Sequence, residues 1–293
     1  MRAQVGELDI EYELLGPEDG EPIVLVAGVF QQLSFWPTSF LNQLVGAGFR
    51  VLIHDNRDVG LSTRESRPAP DIGNVLSGDV TGVNYSLSDM AADTAGLIDV
   101  LGLKPAHVVG HSMGGMIAQR VAIEFPESVS TLTLFATNAS DGVTGQTSPE
   151  FLSFVLTPPS GDAEAAWKNA LEGYRLCVLP EHADEETLAA FLQLQAKRAP
   201  NPAMQCIPAA VAGQITGLNS SPTHLENLSA LKVSTLVIHG TGDTVITFDG
   251  GEKLADVIPR ARLTALEGMG HFPLDPGRWS TIAAAIIEHA RRD

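Results

Sequence analysis

A serine between two glycines is the part of this chain whose residue types best support covalent chemistry. The sequence Gly-His-Ser-Met-Gly at 110–114 follows an apolar run and precedes the helix-forming run 116–122. This context predicts a sharp turn between a strand and a helix, with Ser112 at its tip and small residues two positions away on each side. The start of the helix would aim backbone N–H groups at negative charge forming beside the serine oxygen. A glycine-rich turn that merely starts a helix is the alternative interpretation.

An aspartate and a histidine further along the chain have the residue types needed to activate such a serine. A serine hydroxyl is a poor nucleophile at neutral pH, so it needs a base, and the base needs an orienting acid. Asp243 follows the strand predicted at 236–240, and His271 lies in a glycine-rich loop after the strand predicted at 262–266. Because the carboxyl ends of parallel strands meet at one edge of a sheet, we expect Ser112, Asp243 and His271 to come together there.

Two other aspartates compete with Asp243 for the role of the acid. Asp141 follows the strand predicted at 129–135. Asp249 lies six residues beyond Asp243, at a predicted helix start where an aspartate makes a good cap. We favour Asp243 because it lies in the loop directly after the end of a strand.

Further polar residues near these motifs have mainly structural interpretations. His111 is expected to pack or hydrogen-bond inside the protein, and His239 is expected to have a structural role at the end of its strand. His224 is a candidate for contact with a substrate. Arg57 and Asp58 are expected to form an ion pair that fixes their loop.

The segments 110–115, 239–243 and 268–273 together resemble the α/β-hydrolase superfamily. The resemblance spans nearly the whole chain and is weakest in its middle. It implies an α/β fold with a mostly parallel central sheet, helices on both faces and an inserted helical cap. It also implies a catalytic serine, acid and histidine that follow one another in the order found here.

The N-terminal part resembles the strand and oxyanion loop of the same superfamily. The strand predicted at 23–26 leads to Gly28, but Ala27 replaces the histidine that usually precedes this glycine. The resemblance implies that the backbone N–H groups of Val29 and Met113 form the oxyanion hole, the pair of donors that stabilises the developing oxygen charge.

A second loop narrows the resemblance within the superfamily. The segment 51–62 resembles the family's D-x-R-G-x-G-x-S loop. Its variant R-D-x-G-x-S, together with Trp36-Pro37, is similar to the aclacinomycin methylesterase branch. This branch is the narrowest family assignment that the sequence supports.

The alternation of strands and helices divides the chain into three parts. Residues 1–135 and 232–293 are predicted to form the two parts of an α/β-hydrolase core, and 136–231 a helical cap inserted between them. The strands of the first part are predicted at 10–15, 23–26, 50–54, 106–109 and 129–135. Its helices are predicted at 40–47 and 88–101, with Ser88 as the cap of the second.

The cap is predicted from helical patterns at 164–174, 185–197 and 201–216. Apolar side chains in and beside these patterns must either pack on the core or line a cavity, and we expect them to line a substrate pocket. They are Phe151, Phe154, Leu156, Trp167, Leu194, Met204 and Ile207. A helical embellishment that only packs on the core is the alternative.

Composition limits the classes of function. The chain has 293 residues, 44% of them hydrophobic, and a net charge of −17, which predicts a globular protein without nucleic-acid or anionic-membrane partners. The absence of a signal-like or membrane-spanning run predicts a cytoplasmic protein. No cofactor or metal is expected, because nucleotide-binding loops and metal-ligand spacings are missing. The sequence leaves open both the oligomeric state and any pairing of Cys177 with Cys206.

These observations predict hydrolysis of a carboxylic ester of a small, hydrophobic molecule through an acyl-enzyme. Lactonase, carbon–carbon hydrolase and cofactor-free perhydrolase activities remain open, because they use similar residue sets. A small-molecule receptor with slow turnover remains open as well. A serine rather than an aspartate at position 112 argues against haloalkane dehalogenase and epoxide hydrolase chemistry.

Overall fold

One sheet connects all eight strands that the computed structural model contains in the residues it describes, which are 1–68, 70–156, 163–179, 184–198 and 222–292. The strands run in the order β1-β2-β4-β3-β5-β6-β7-β8 across it. Strands β3 to β8 pair in parallel, and β1 and β2 add an antiparallel edge. The strands are β1 (Arg2–Val5), β2 (Leu8–Leu15), β3 (Pro22–Val26), β4 (Arg50–His54), β5 (Ala106–His111), β6 (Val129–Phe135), β7 (Ser234–Gly240) and β8 (Ala261–Leu266).

Helices connect the parallel strands. They are α1 (Thr38–Gly46), α2 (Ile72–Leu76), α3 (Leu87–Val100), α4 (Met113–Glu124), α5 (Pro149–Leu156), α6 (Ala163–Arg175), α7 (Glu185–Arg198), α8 (Pro222–Ser229), α9 (Asp249–Val257) and α10 (Pro276–Arg292). Short 3₁₀ turns lie at Leu33–Phe35 and Pro126–Ser128. Parallel strands need such crossovers, which cover both faces of the sheet.

Alternating residues of the central strands build a core on each face of the sheet. On one face Val24, Val108 and Val237 pack with residues of α3, α4 and α9. On the other face Leu25 and Val109 pack with residues of α1 and α10. Burial of each such side chain stabilises the fold by about 1.5–3 kcal/mol, so the two cores fix the strand ends that carry the site.

The predicted strands and helices of the first core part are present, with shifts at their ends. The strand β1 escaped prediction, because four half-exposed residues carry too weak a pattern. The predicted cap of α3 was wrong by two residues. Ser86 accepts the Asp89 N–H and Asp89 accepts the Ser86 N–H, whereas the Ser88 hydroxyl donates to Glu124.

Between β6 and β7 the described residues contain four helices, α5 to α8, and no strand. The segment leaves the sheet at the carboxyl end of β6, on the edge where the predicted catalytic loops lie. Its helical patterns at 164–174 and 185–197 correspond to α6 and α7, and the pattern at 201–216 lies outside the described residues. The division at 136 and 231 stays a prediction.

Membrane-spanning helices are not found among the described residues, because none of their helices is both long and apolar enough.

Candidate active site

Ser112 lies on the turn that joins β5 to α4. Its backbone has φ 55° and ψ −124°, a left-handed conformation that costs a non-glycine residue about 1–3 kcal/mol. The Ser112 N–H donates to the Phe135 carbonyl at 2.9 Å, which ties the turn to the neighbouring strand β6. The side chain does not cap α4, so its hydroxyl is not used by the helix that it precedes. A mere helix-starting turn does not account for this strain.

The glycines around Ser112 are required by close backbone packing. A Cβ atom at Gly110 would overlap the Gly114 carbonyl oxygen, and one at Gly114 would overlap the Val26 carbonyl oxygen of β3. A Cβ atom at Gly28 would lie 3.0 Å from the Ser112 Cβ. The spacing of the motif therefore places the serine directly against the end of β3, where the expected oxyanion turn begins.

Asp243 and His271 form a buried hydrogen-bonded pair. The Nδ1 atom of His271 lies 2.8 Å from Oδ2 of Asp243. The other carboxylate oxygen accepts the backbone N–H groups of Val245 and Ile246, both at 2.9 Å. The loop after β7 thus holds the carboxylate in one orientation, and the Nε2 atom of His271 is the nitrogen left for a proton from another group.

Electrostatics keep the Asp243 carboxyl ionised. Burial by itself would raise the pKa of Asp243, but His271 and His239 hold it well below the usual range of an aspartate. The Nε2 atom of His239 lies 3.3 Å from Oδ2 of Asp243, the oxygen that His271 also contacts, and 2.9 Å from the Ile246 carbonyl. His239 is therefore the second imidazole on Asp243, a contact that its position in the sequence did not reveal.

The carboxylates of the two rival aspartates bind groups away from His271. The Asp141 carboxylate accepts the N–H groups of Val143 and Thr144. Asp249 accepts the Gly145 N–H at 3.1 Å and the Thr247 hydroxyl at 2.6 Å. Asp249 is the first residue of α9 and does not cap it, because Phe248 holds the capping position. Among the predicted acids, Asp243 is the one hydrogen-bonded to His271.

The expected oxyanion donor Val29 lies in a tight turn after β3. The Gln31 N–H donates to the Gly28 carbonyl at 3.3 Å, and the Gly28 N–H donates to the Gln31 side-chain oxygen at 2.6 Å. Phe30 takes a left-handed conformation with φ 61°. Gln31 therefore closes the turn with its own side chain, in a loop where the family's histidine is replaced by Ala27.

The second expected donor, Met113, is the first residue of α4. Backbone N–H groups in the first turn of a helix have no acceptor inside that helix. Within the part of the chain that the structure describes, neither Val29 nor Met113 donates its N–H to another residue. Met113 follows Ser112 in the chain, and Val29 lies in the turn that packs against Ser112. Their role in an oxyanion hole stays a prediction.

His111 contacts both halves of this arrangement. Its ring is fully buried, with Nδ1 3.0 Å from the Gln31 side-chain oxygen and Nε2 3.1 Å from the His271 carbonyl. The rings of His111 and His271 are 4.9 Å apart. The expectation that His111 hydrogen-bonds inside the protein agrees with these contacts.

The predicted ion pair between Arg57 and Asp58 was wrong. Arg57 binds Asp93 of α3 through two nitrogens and stacks over the Tyr85 ring. Asp58 has a left-handed backbone and accepts the Glu65 N–H at 2.5 Å. Successive side chains of this loop point in different directions, so neighbours in the sequence find separate partners.

A partly buried ion pair attaches the inserted helix α7 to the core. The Nη1 atom of Arg198 lies 2.6 Å from Oδ2 of Asp55 and 3.1 Å from the side-chain oxygen of Gln32. The Gln32 side chain donates to the Gln195 carbonyl at 3.0 Å. Asp55 also accepts the Leu33 N–H, so the end of α7 is joined to the loop that continues from the oxyanion turn.

The apolar residues expected to line a pocket divide between several positions. Phe154 packs against Gly173 of α6, and Phe151 packs on the core next to it. Leu194 is 52% exposed, so its predicted place in a pocket was wrong. Trp167 is half-buried. Met204 and Ile207, like Cys206, lie outside the described residues, and so does the Leu156 side chain.

Aromatic rings at the junction of α6, α7 and the His271 loop form a cluster that the sequence did not identify. Phe191 of α7 lies 5.3 Å from Tyr174 of α6, 6.2 Å from Phe272 and 6.2 Å from Phe35 between ring centroids.

His224, the candidate for substrate contact, is buried, with Nε2 3.3 Å from the Gln119 side-chain oxygen of α4.

Cys177 makes two contacts beside the site that carry no local sequence signal. The His271 N–H donates to the Cys177 carbonyl at 2.8 Å, in the turn that follows α6. The Cys177 thiol donates to the Gly173 carbonyl, and burial raises its pKa far above that of a reactive thiol. No group of histidines, cysteines and carboxylates suited to a metal occurs among the described residues.

Comparisons with known proteins agree with this fold. A family model for the alpha/beta hydrolase fold matches residues 21–277. Rhodomycin D methylesterase DauP of Streptomyces sp. (strain C5) is 28% identical, over 97% of this chain and 96% of that protein. The non-heme chloroperoxidase CPO-A1 of Kitasatospora aureofaciens is 26% identical, over 86% and 85%.

A solved structure extends the comparison to the whole fold. The meta-cleavage product hydrolase from Pseudomonas fluorescens IP01 matches with a TM-score of 0.77 at 19% identity, over 100% of this chain and 97% of that one. The similarity to methylesterases expected from the sequence is confirmed by the rhodomycin D methylesterase. The strained serine turn, the mostly parallel sheet and the matching family model lead to one assignment: the chain belongs to the α/β-hydrolase fold family.

Proposed function

We propose that this hydrolase cleaves a carboxylic ester of a small, uncharged, hydrophobic molecule through an acyl-enzyme on Ser112. The observation that carries the proposal is the buried Asp243–His271 hydrogen bond, on the same sheet edge as a strained serine that caps no helix. Asp243 holds the imidazole so that Nε2 faces away from the carboxylate, and its charge stabilises the imidazolium that forms when the serine is deprotonated.

The reaction has two halves. His271 takes the proton of the Ser112 hydroxyl while the serine oxygen attacks the ester carbonyl, and the N–H groups of Val29 and Met113 bind the developing oxyanion. His271 then gives that proton to the leaving alcohol as the C–O bond breaks. In the second half, His271 takes a proton from a water molecule that attacks the acyl-enzyme, and Ser112 regains a proton as its ester bond breaks and the acid is released. Loss of one oxyanion donor typically lowers the rate by about 10²–10³-fold.

Two features support an uncharged and partly aromatic substrate. Phe35, Tyr174, Phe191 and Phe272 cluster between the inserted helices and the His271 loop, and Tyr174 and Phe191 keep part of their apolar surface exposed, where it can contact an apolar ligand. The net charge of −17 disfavours the approach of anionic substrates. The rhodomycin D methylesterase relative makes methyl esters the first substrate class to test, and the aromatic cluster favours those that carry an aromatic ring.

The experiment is a substrate panel with a defined active-site variant. Methyl, aryl and p-nitrophenyl esters and lactones are compared, with peroxide-dependent halogenation as a separate arm. We expect ester turnover with kcat in the usual range of about 1–10³ s⁻¹ and a loss on the order of 10⁴–10⁶-fold in Ser112→Ala. A fluorophosphonate should add one label to the wild type and none to Ser112→Ala, as read by intact mass.

Other outcomes point to other functions. Halogenation that exceeds ester turnover would favour the perhydrolase alternative, which the similarity to a non-heme chloroperoxidase keeps open. Preference for lactones over every open ester would favour a lactonase. Ligand binding with turnover far below the enzymatic range would favour a receptor. Labelling or hydrolysis that persists in Ser112→Ala would remove Ser112 from its proposed role.

A further inference from the structure

His111 bridges the two loops that the proposed reaction depends on. It precedes Ser112, is fully buried, and extends away from the serine between the oxyanion turn and the His271 loop. Its ring stacks on Phe35 at 4.8 Å and lies 4.7 Å from Phe135. A residue that only filled space here would need no polar atoms, yet both ring nitrogens are within hydrogen-bond distance of oxygen atoms.

The partners of the ring are both acceptors. The Gly28 N–H donates to the Gln31 side-chain oxygen, which fixes the orientation of that amide and presents oxygen to Nδ1 of His111. The His271 carbonyl that faces Nε2 can only accept. A neutral imidazole has a single N–H, so it donates to one of these two oxygens at a time.

The ring is neutral at ordinary pH. Burial and the neighbouring His271 lower the pKa of His111 well below that of a free histidine. The neutral ring can therefore donate its single N–H either to the Gln31 side-chain oxygen or to the His271 carbonyl, but not to both.

The two loops differ in how much they need this contact. His271 has two other anchors, its N–H on the Cys177 carbonyl and its Nδ1 on Asp243. The oxyanion turn contains a left-handed Phe30 and is closed by the Gln31 side chain. Loss of the His111 contact leaves His271 with two anchors, whereas it leaves the Gln31 oxygen with the Gly28 N–H, a bond within the turn itself.

We propose that His111 is a positioning residue for the oxyanion turn, whose Nδ1–H holds the Gln31 oxygen and thereby keeps the Val29 N–H in place. The inference rests on the proposed ester hydrolysis through Ser112. It predicts a defect in the transition state rather than in substrate binding, because the oxyanion charge develops only as the serine attacks.

Three substitutions separate the two ring nitrogens. An asparagine side-chain N–H₂ branches from the same carbon position as Nδ1, whereas a glutamine N–H₂ reaches the position of Nε2. We expect His111→Leu to lower kcat for p-nitrophenyl butyrate by about 10–100-fold, with KM changed by less than about threefold. His111→Asn should recover most of that loss, and His111→Gln should resemble His111→Leu.

A double-mutant cycle tests the route through Gln31. Gln31→Met keeps the length of the side chain and removes its oxygen. If His111 acts through Gln31, the double variant His111→Leu/Gln31→Met should be no slower than the slower single variant, which is a non-additive result. His107→Asn is the control, because His107 lies on the same strand at its opposite end and binds Thr131. It should change kcat by less than about twofold.

The outcomes decide the inference separately from the proposed function. Equal kcat in His111→Leu and wild type, or no recovery in His111→Asn when both variants keep the wild-type melting temperature, would overturn the positioning role while Ser112→Ala remained inactive. Activity in Ser112→Ala would overturn both proposals. If His111→Leu does not fold, His111→Asn and His111→Gln decide, since a kcat kept in His111→Asn and lost in His111→Gln supports the role, and an equal kcat in both overturns it.

Discussion

The loops at the carboxyl edge of the sheet and the helices inserted between β6 and β7 are held in different ways. Asp243, His111 and the turn before Gln31 are fixed by buried hydrogen bonds in which the backbone is one partner. Among the described residues, helix α7 is held by the ion pairs of Arg198 with Asp55 and of Glu185 with Arg175, by the contacts of Gln32 with Arg198 and Gln195, and by the aromatic contacts of Phe191. The catalytic loops are anchored mainly through their backbone, whereas the inserted helix is anchored mainly through side chains.

This difference separates the chemistry from the choice of substrate. Groups that react must be held within fractions of an ångström, and multiple hydrogen bonds from two packed cores supply that precision. A substrate pocket needs complementary apolar surface and tolerates changes of side chain. The three predictions below test how far this division holds.

The largest effect is expected where the catalytic loops have the most anchors. Asp243→Asn should lower kcat by about 10⁴-fold, because an amide in place of the carboxylate favours the wrong tautomer of His271. Asp141→Asn and Asp249→Asn are the controls, and each should cost less than about tenfold since their carboxylates bind other loops. Steady-state kinetics on one ester would measure all three. If Asp141→Asn proves the crippling change, the acid lies after β6 and the assignment of Asp243 is wrong.

A smaller effect is expected from two buried histidines, one in the core and one in the inserted helices. Burial lowers the pKa of His54 in β4 and of His224 in α8 to about 4 each. The unfolded chain, with histidine pKa near 6.5, takes up these protons first, so stability is complete above about pH 6.5 and falls as the pH drops towards 4. Each histidine should contribute up to about 3 kcal/mol to this loss.

Urea unfolding at pH 7.5, 5.5 and 4.5 measures the decline. His54→Leu and His224→Leu should each flatten it by a similar amount if α8 unfolds together with the core. If only His54→Leu changes how the free energy of unfolding depends on pH, α8 opens separately from the core, and the distinction between the two regions becomes sharper. A slope unchanged in both variants would contradict the buried neutral state of these rings.

The smallest effect is expected from a matched pair on α7. Phe191→Ala should lower kcat/KM for an aromatic methyl ester by about tenfold, mainly through KM, because the ring contacts Phe35, Tyr174 and Phe272. Leu194→Ala should change it by less than about twofold, since Leu194 is 52% exposed. Equal effects from both would mean that α7 presents a different face to the substrate.

The sequence was sufficient for features whose signal is local. The strands around Ser112 and Asp243 are continuous apolar runs, and the glycines at 110 and 114 have no room for a Cβ atom. The order of strand ends along the chain predicted that Asp243 and His271 would meet, and they are 2.8 Å apart. The predicted partner of Arg57 was wrong because ion pairs across a loop depend on side-chain direction, which sequence spacing does not give.

The sequence by itself predicted a mostly parallel α/β sheet from its short apolar runs, and the motifs around Ser112, Asp243 and His271 carried the resemblance to the α/β-hydrolase superfamily. Only the tertiary structure decided what surrounds them. The contacts of Gln31 with His111 and of Arg198 in α7 with Asp55 join residues far apart in the chain. The contact of His239 with Asp243, four residues later, depends on how the loop after β7 turns back. Such contacts depend on the burial and orientation of polar atoms after the elements have packed, and no local pattern encodes them.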